Sequence, residues 1–356
     1  MNENKTEKET YEDIFFKKKF NQHLDKNGKI TINGCNFDPS DILYNLDKEA
    51  YQDGIYEWKD DYFSAQIEKA NEILSEFEQI DDFEKLQEEY NDRNLIPFVG
   101  AGLSMPSGFP SWKEFIIKLS KSKENTKKQC EELIKQNKLQ ESLELISKEI
   151  GYNQIDMKTK KNFNKSINIE NIKGSINYLP LAFPHNCIIT TNLDNIIETL
   201  YENADKRISE IINGNNIFTA VASFNPEKKM LFKIHGNAYK SQGRVLFPND
   251  YDDAYSSYLE NLSSQLLFKH SLLFMGASLV KDQILTSMKE HVKKVHNDSI
   301  HMHYAFLEEI ENQEAKEKIT DQLSDAYINP IWYPKKEHDE SIEAFLCKLY
   351  LKEVVE

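Results

Sequence analysis

The pattern of apolar and polar positions changes near residue 95. Ahead of it, from Thr6 to about Asp92, charged side chains dominate and apolar ones return at helical spacing. Over residues 61–91 they fall at Ile67, Ile73, Leu74, Phe77, Ile80, Phe83 and Leu86, the recurrence that turns one helix face toward a core. Asn27-Gly28 offers a turn beside the alternating run GKITING, and Asp38-Pro39-Ser40 marks a helix start before DILYNLDKEAY. Beyond residue 95, short apolar runs recur: LIPFVG from Leu95, NCIITTN at 186–192, MLFKIHG at 230–236, SLLFMG at 271–276, HYAFL at 303–307 and INPIWY at 328–333. Segments long enough for helices separate them. Strands this apolar, alternating with helices, predict an α/β fold with a Rossmann-like, doubly wound, largely parallel sheet buried on both faces. Residues 113–180 are helical in pattern, Lys-rich and too long for a plain crossover, which predicts a small helical module. The expected organisation is a charged, mostly helical N-terminal region over 1–92 and an α/β domain over 93–356.

Four of the predicted strands end in small or polar residues. Gly100-Ala101-Gly102-Leu103-Ser104 follows the first and leads through Pro106, Gly108, Pro110 and Trp112 into the helix KEFIIKLSK. Glycines at such a turn let backbone amides approach a pyrophosphate. Thr190-Thr191-Asn192-Leu193-Asp194 ends the second, Lys233-Ile234-His235-Gly236 the third, and Gly276-Ala277-Ser278-Leu279 a fourth, with Asp282 one helical turn later. Each has a plainer reading. The glycines could form an ordinary turn, Asn192 and Asp194 could cap the helix NIIETLYE, His235 could be a hydrogen-bonded histidine at the sheet rim, and Asp282 could be an exposed helix residue. Together they populate the carboxyl ends of the strands, where open α/β sheets bind ligands, and predict a dinucleotide cleft.

The order GAGxS, GxPxW, TxNxD, HG and GxS resembles the sirtuins, in particular the bacterial sirtuin-like NAD hydrolases of antiviral defence. The likeness runs over roughly residues 95–350 and includes the ending IWYPKKEHDESIEAFLCKL. It implies an NAD glycohydrolase that releases nicotinamide and ADP-ribose and halts phage multiplication by depleting the cofactor. By the resemblance Asn192 positions the ribose and the attacking water, Asp194 holds the nicotinamide amide, and His235 engages the ribose hydroxyls as base. Gly100, Ala101, Gly102 and Ser104 cradle the phosphates, and Gly276, Ser278 and Asp282 line the cleft. Three departures count against peptide deacylation. Residues 237–270 contain no cysteine where deacylating sirtuins carry two CxxC pairs for structural zinc. Ser111-Trp112-Lys113 stands where a Phe-Arg pair is usual, and Thr191 where Gln is usual. An NAD-dependent deacylase and a non-catalytic NAD-binding assembly subunit remain the alternatives. Relatives of this short build imply control by a partner or by assembly: a homo-oligomer, a hexameric DNA-translocating ATPase, or another defence protein.

Charge and cysteine usage narrow this further. With 44 Lys and Arg against 59 Asp and Glu the net charge is -15, opposed to direct nucleic-acid binding, which needs phosphates neutralised by cations. The charged opening MNENKTEKETYEDIFF has neither a signal peptide's apolar stretch nor a transit peptide's acid-poor character. No run is apolar enough to predict a membrane span. The scattered Cys35, Cys130, Cys187 and Cys347 fit free thiols, and a cytoplasmic location is expected. No metal is expected: His291, His296, His301 and His303 lie on a helix, loop and strand without ligand spacing. Asp25-Lys26-Asn27-Gly28 lacks both end ligands of a calcium loop, with His23 and Gly34 in those places. There is no phosphate-binding G-x-x-x-x-G-K-[ST] segment for ATP.

Overall fold

The computed structural model describes residues 9–121, 124–136, 138–185, 187–214, 228–251, 270–279, 283–294 and 301–354. The N-terminal region forms helix α1 (Tyr11–Leu24), the hairpin β1 (Ile30–Ile32) and β2 (Cys35–Phe37), then α2 (Pro39–Leu46), α3 (Lys48–Glu76) and α4 (Ile80–Asn91). A capping box between Thr10 and Asp13 starts α1. Asp47 caps α3 by accepting from the Ala50 amide at 3.0 Å, which satisfies a donor that the first turn leaves unpaired.

Strand β3 (Leu95–Val99) follows, then the helical segment α5 (Trp112–Ser120), α6 (Glu124–Lys135), α7 (Leu139–Ile150) and α8 (Tyr152–Phe163), and the short α9 (Leu179–Ala182). The chain continues through β4 (Ile188–Thr190), α10 (Ile196–Asn203), β5 (Glu210–Asn213), β6 (Met230–Lys233), β7 (Ser271–Met275) and α11 (Gln283–Lys294). It closes with β8 (His303–Glu308), α12 (Gln313–Ser324), β9 (Ile328–Tyr333) and α13 (His338–Val354). All six apolar runs contain strands. The seventh strand, β5, escaped the pattern because it is an edge strand with its first two residues exposed.

The seven strands pair in the order β5-β6-β4-β3-β7-β8-β9, every pair parallel. Alternate side chains leave opposite faces. Leu95, Val99, Leu273 and Met275 enter one apolar cluster, whereas Ile96, Phe98, Leu272 and Phe274 enter the other. Burial on both faces is why these strands read as continuous apolar runs.

The N-terminal helices cover the first of these faces. Phe15, Phe16, Ile73, Leu74, Phe83 and Leu86 share its cluster with Phe345 and Leu346 of α13. Tyr11 donates to the Asn177 carbonyl at 2.8 Å and Tyr90 to the Ala182 carbonyl at 2.6 Å. The buried Gln79 protects the sheet edge: its Nε2 donates to the Pro330 carbonyl and its Oε1 accepts from the Trp332 amide, both at 2.8 Å. A side chain thus takes the hydrogen bonds that a further strand would otherwise take. Among the described residues no helix is long and apolar enough to cross a membrane.

Strand order reverses at β3. On one side of β3 lie β4, β6 and β5 in that spatial order, and the chain then crosses back to place β7 on the other side, making the β3/β7 boundary the switch point where such sheets open a crevice. Here the backbones touch. Gly100 donates to the Met275 carbonyl at 2.8 Å and Gly102 to the Gly276 carbonyl at 2.9 Å. A β-carbon on Gly100 would lie 2.4 Å from the Gly276 oxygen, so backbone would have to move. Gly100→Ala should therefore cost about 1–3 kcal/mol through overpacking. Thermal denaturation should show this as a fall of several degrees in Tm; an unchanged Tm would mean the two turns are not held in this contact.

Candidate active site

A cavity of about 390 Å³ opens at that switch point. Gly100, Ala101, Gly102, Ser104, Asn192, Asp194, His235, Gly276 and Ser278, all singled out from the sequence, line it. Asp282 lies outside the described residues. The opposite wall comes from the start of α5 and from the helical segment, through Trp112, Gln140 and Phe163.

Asn192 is the best-held of the polar residues. It is 5% exposed, and its Nδ2 donates to the Gly100 carbonyl and to Ser104 Oγ, both at 3.0 Å. A carbonyl only accepts, so the amide's NH₂ must face Gly100. That leaves Oδ1 buried and, among the described residues, without a hydrogen-bond partner. A buried acceptor left bare in a cavity wall costs stability unless something fills the site. Thr190 fixes the approach: its hydroxyl donates to the Val99 carbonyl at 2.7 Å and accepts from the Asn192 amide at 3.0 Å. Asn192 is therefore turned back onto the glycine turn and does not cap α10. Asp194 takes part of the capping role, accepting from the Ile196 amide at 3.1 Å.

The Asp194 carboxyl is buried, and burial raises its pKa, while the Lys233 ammonium and the Ile196 amide act in the other direction. Lys233 is 1% exposed. It donates to the Asp194 carbonyl and, at 2.7 Å, to Glu198 Oε1. Its role in bracing the Asn192–Asp194 loop was not foreseen, because a lysine ending an apolar strand carries no sequence signal for what it will reach.

His235 is partly buried, with its ring 5.1 Å from Tyr251 in an edge-on arrangement. Its carbonyl accepts from the Val245 amide at 3.1 Å. Burial pushes its pKa down to about 4, so the imidazole is neutral near pH 7. Trp112 is set at the start of α5 by a capping box in which Ser111 Oγ accepts from the Glu114 amide at 3.1 Å and the Ser111 amide donates to Glu114 at 2.8 Å. Its ring packs 5.4 Å from Phe115, and its buried Nε1 has no acceptor among the described residues. The cavity thus offers closely approachable glycine backbone, an acceptor without a partner among the described residues, a neutral imidazole and aromatic side chains.

The histidines outside the cleft do other work. His303 is buried and its Nδ1 accepts from the Leu272 amide at 3.0 Å, while His301 lies 3.6 Å from Glu89. His296 lies outside the described residues, among which no group of three or more potential metal ligands occurs.

Residues 186–331 match the family model of the SIR2-like domain. The chain is 28% identical over 228 residues to an Enterococcus faecium protein named NAD(+) hydrolase ThsA, a match covering 61% of this chain and 44% of the relative. It is 25% identical over 226 residues to Defense-associated sirtuin 2 of Bacillus subtilis, covering 61% of this chain and 21% of the relative. A second NAD(+) hydrolase ThsA, from Acinetobacter baumannii, is 22% identical over 227 residues, covering 62% and 44%. The matches therefore span less than half the length of each of these relatives.

The depressed His235 pKa has a stability consequence with a definite sign. The unfolded histidine titrates near 6.5 and the folded one near 4, so within that window the unfolded state holds the extra proton. Its contribution is complete above about pH 6.5 and is lost as pH falls toward 4. An NMR titration of the His235 ring should give a midpoint near 4, and His235→Gln should lessen the loss of Tm between pH 7 and 5. A midpoint at or above the ordinary histidine value would contradict the burial described.

Proposed function

We propose, from the premise that this chain is a SIR2-like protein with its cleft at the sheet's switch point, that it hydrolyses NAD to nicotinamide and ADP-ribose. The observation that carries the reading is Asn192, clamped through its NH₂ by Gly100 and Ser104 with its oxygen left unpaired in the cavity that His235 also lines. Nicotinamide departs from a cationic pyridinium. The C–N bond breaks with its electron pair going to the ring nitrogen, so the leaving group is neutral and needs no acid. Catalysis then requires that the ribose be held, an oxocarbenium-like state stabilised, and water presented to the anomeric carbon, as in glycoside hydrolysis.

The residues meet those needs in turn. Asn192 Oδ1 accepts from a ribose hydroxyl or from the attacking water. His235, neutral near pH 7, takes the proton that balances the new C–O bond. Asp194 accepts from the nicotinamide amide, and Trp112 and Phe163 supply an aromatic wall for the cationic ring. The amides of Gly100 and Gly102 are already bonded across to β7, so their part is close backbone approach to the diphosphate. Ala101, Ser104, Gly276 and Ser278 complete that side, with Asp282 assigned there on the resemblance alone.

The names of the relatives, NAD(+) hydrolase and defense-associated sirtuin, support the reaction and a role in defence; phage as the target, and control through assembly or a partner protein, rest on the resemblance alone. Such control fits a chemistry that would empty a cell of its cofactor. The N-terminal region, residues 1–92, and the domain after it are proposed as one working unit, given the apolar cluster that they share.

Chromatography of NAD incubated with the full chain should show nicotinamide and ADP-ribose rising in equal amounts. Asn192→Ala and His235→Ala should each lower the rate by about 10²–10⁴-fold in protein that still denatures cooperatively. Wild-type turnover in either folded variant would remove that residue from the mechanism. Binding of NAD by the wild-type protein without release of either product, in any condition, would overturn the hydrolase reading.

A further inference from the structure

Arg244 is a buried cation outside the set read from the sequence, 7% exposed at the end of the loop that follows His235. Its guanidinium makes two contacts to different elements. Nη1 donates to the Ala238 carbonyl at 2.9 Å, and Nη2 is ion-paired with Asp156 of α8. Asp156 also meets Lys160, one turn further along α8, at 2.8 Å. The Lys160 hydrogen bond and the Arg244 guanidinium hold its carboxyl below the ordinary value.

Both contacts lead to the cleft. Ala238, whose carbonyl receives Nη1, donates through its own N–H, in the preceding peptide, to the carbonyl of Leu193, between Asn192 and Asp194, at 3.0 Å. The residue after Arg244, Val245, donates to the His235 carbonyl at 3.1 Å. The turn itself is closed by backbone contact: a β-carbon on Gly236 would lie 2.9 Å from the Gly243 oxygen and 3.0 Å from the Arg244 α-carbon. Phe247 reaches the same helix, its ring 4.8 Å from that of Tyr152 on α8. One guanidinium therefore ties together the Asn192 loop, the His235 loop and the helical segment whose Phe163 lines the opposite wall.

We propose that Arg244 is a positioning residue that holds the Asn192–Asp194 and His235 loops in register, and that its pairing with Asp156 makes this register depend on the seating of α8. Arg244 itself does not line the cavity. It acts through Ala238 and Val245. Movement of α8 would consequently reach both loops at once through Arg244, besides shifting Phe163 in the cavity wall. The activity readout rests on the proposed function; the structural readout does not.

The test uses the full chain carrying Asp156→Ala, with Asp156→Asn as the variant that keeps an acceptor for Arg244. Native-state hydrogen exchange should accelerate about tenfold or more at the Ala238 and Val245 amides of Asp156→Ala, with the amides of β3 unchanged. Asp156→Asn should restore part of the protection. In NAD cleavage, Asp156→Ala should lower kcat by about tenfold while ADP-ribose Kd stays within about twofold. Unchanged exchange at the two amides would overturn the proposal. Acceleration spread evenly through β3 would also overturn it, since the pair would then support only overall stability. If the wild-type chain binds ADP-ribose but cleaves no NAD, the hydrolase reading fails while the exchange data still decide the role of Arg244.

Discussion

Where β3 and β7 leave the sheet, Gly100 and Gly102 lie against Gly276 with backbone on backbone, and two amide-to-carbonyl bonds of 2.8 and 2.9 Å join the turns. Side chains at these positions would force the two halves of the doubly wound sheet apart. Their absence closes the sheet core and opens the crevice above it. The Gly100 carbonyl, fixed by that contact, is one of the two atoms that orient Asn192. The cleft's polarity thus depends on a packing constraint between two strands that lie far apart in sequence.

Charge is handled differently behind the loops of the cleft than on the surface. Lys233 and Arg244 are both buried, and each spends its donors on loop carbonyls, of Asp194 and Ala238 respectively, as well as on a carboxylate. Buried pairs of this kind bring little net stability but are costly to break, which suits them to fixing geometry. The N-terminal helices contribute by covering one sheet face, and Gln79 closes the β9 edge.

The parallel sheet was legible because burial on both faces leaves an unbroken apolar run, and six of the seven strands have one. β5 was not, because an edge strand buried on one side keeps polar and exposed positions. The strand-end residues were legible as a group because glycine, asparagine and histidine stand where apolar runs stop. Their individual bonding was not: sequence left Asn192 open as a helix cap, whereas it turns back to Gly100 while Asp194 meets the Ile196 amide. The bonding of Arg244 and Lys233 was not legible for a plainer reason. Their partners lie 88 and 35 residues away for the carboxylates, and no local pattern encodes contacts of that range.

The most direct test of the dinucleotide cleft is a crystal structure of the Asn192→Ala protein with NAD bound. The account predicts the diphosphate against the Gly100–Ser104 turn and Gly276, the nicotinamide ribose between position 192 and His235, and the pyridinium ring toward Trp112. Dinucleotide bound away from the β3/β7 switch point, or a cleft that stays empty at saturating NAD, would contradict it.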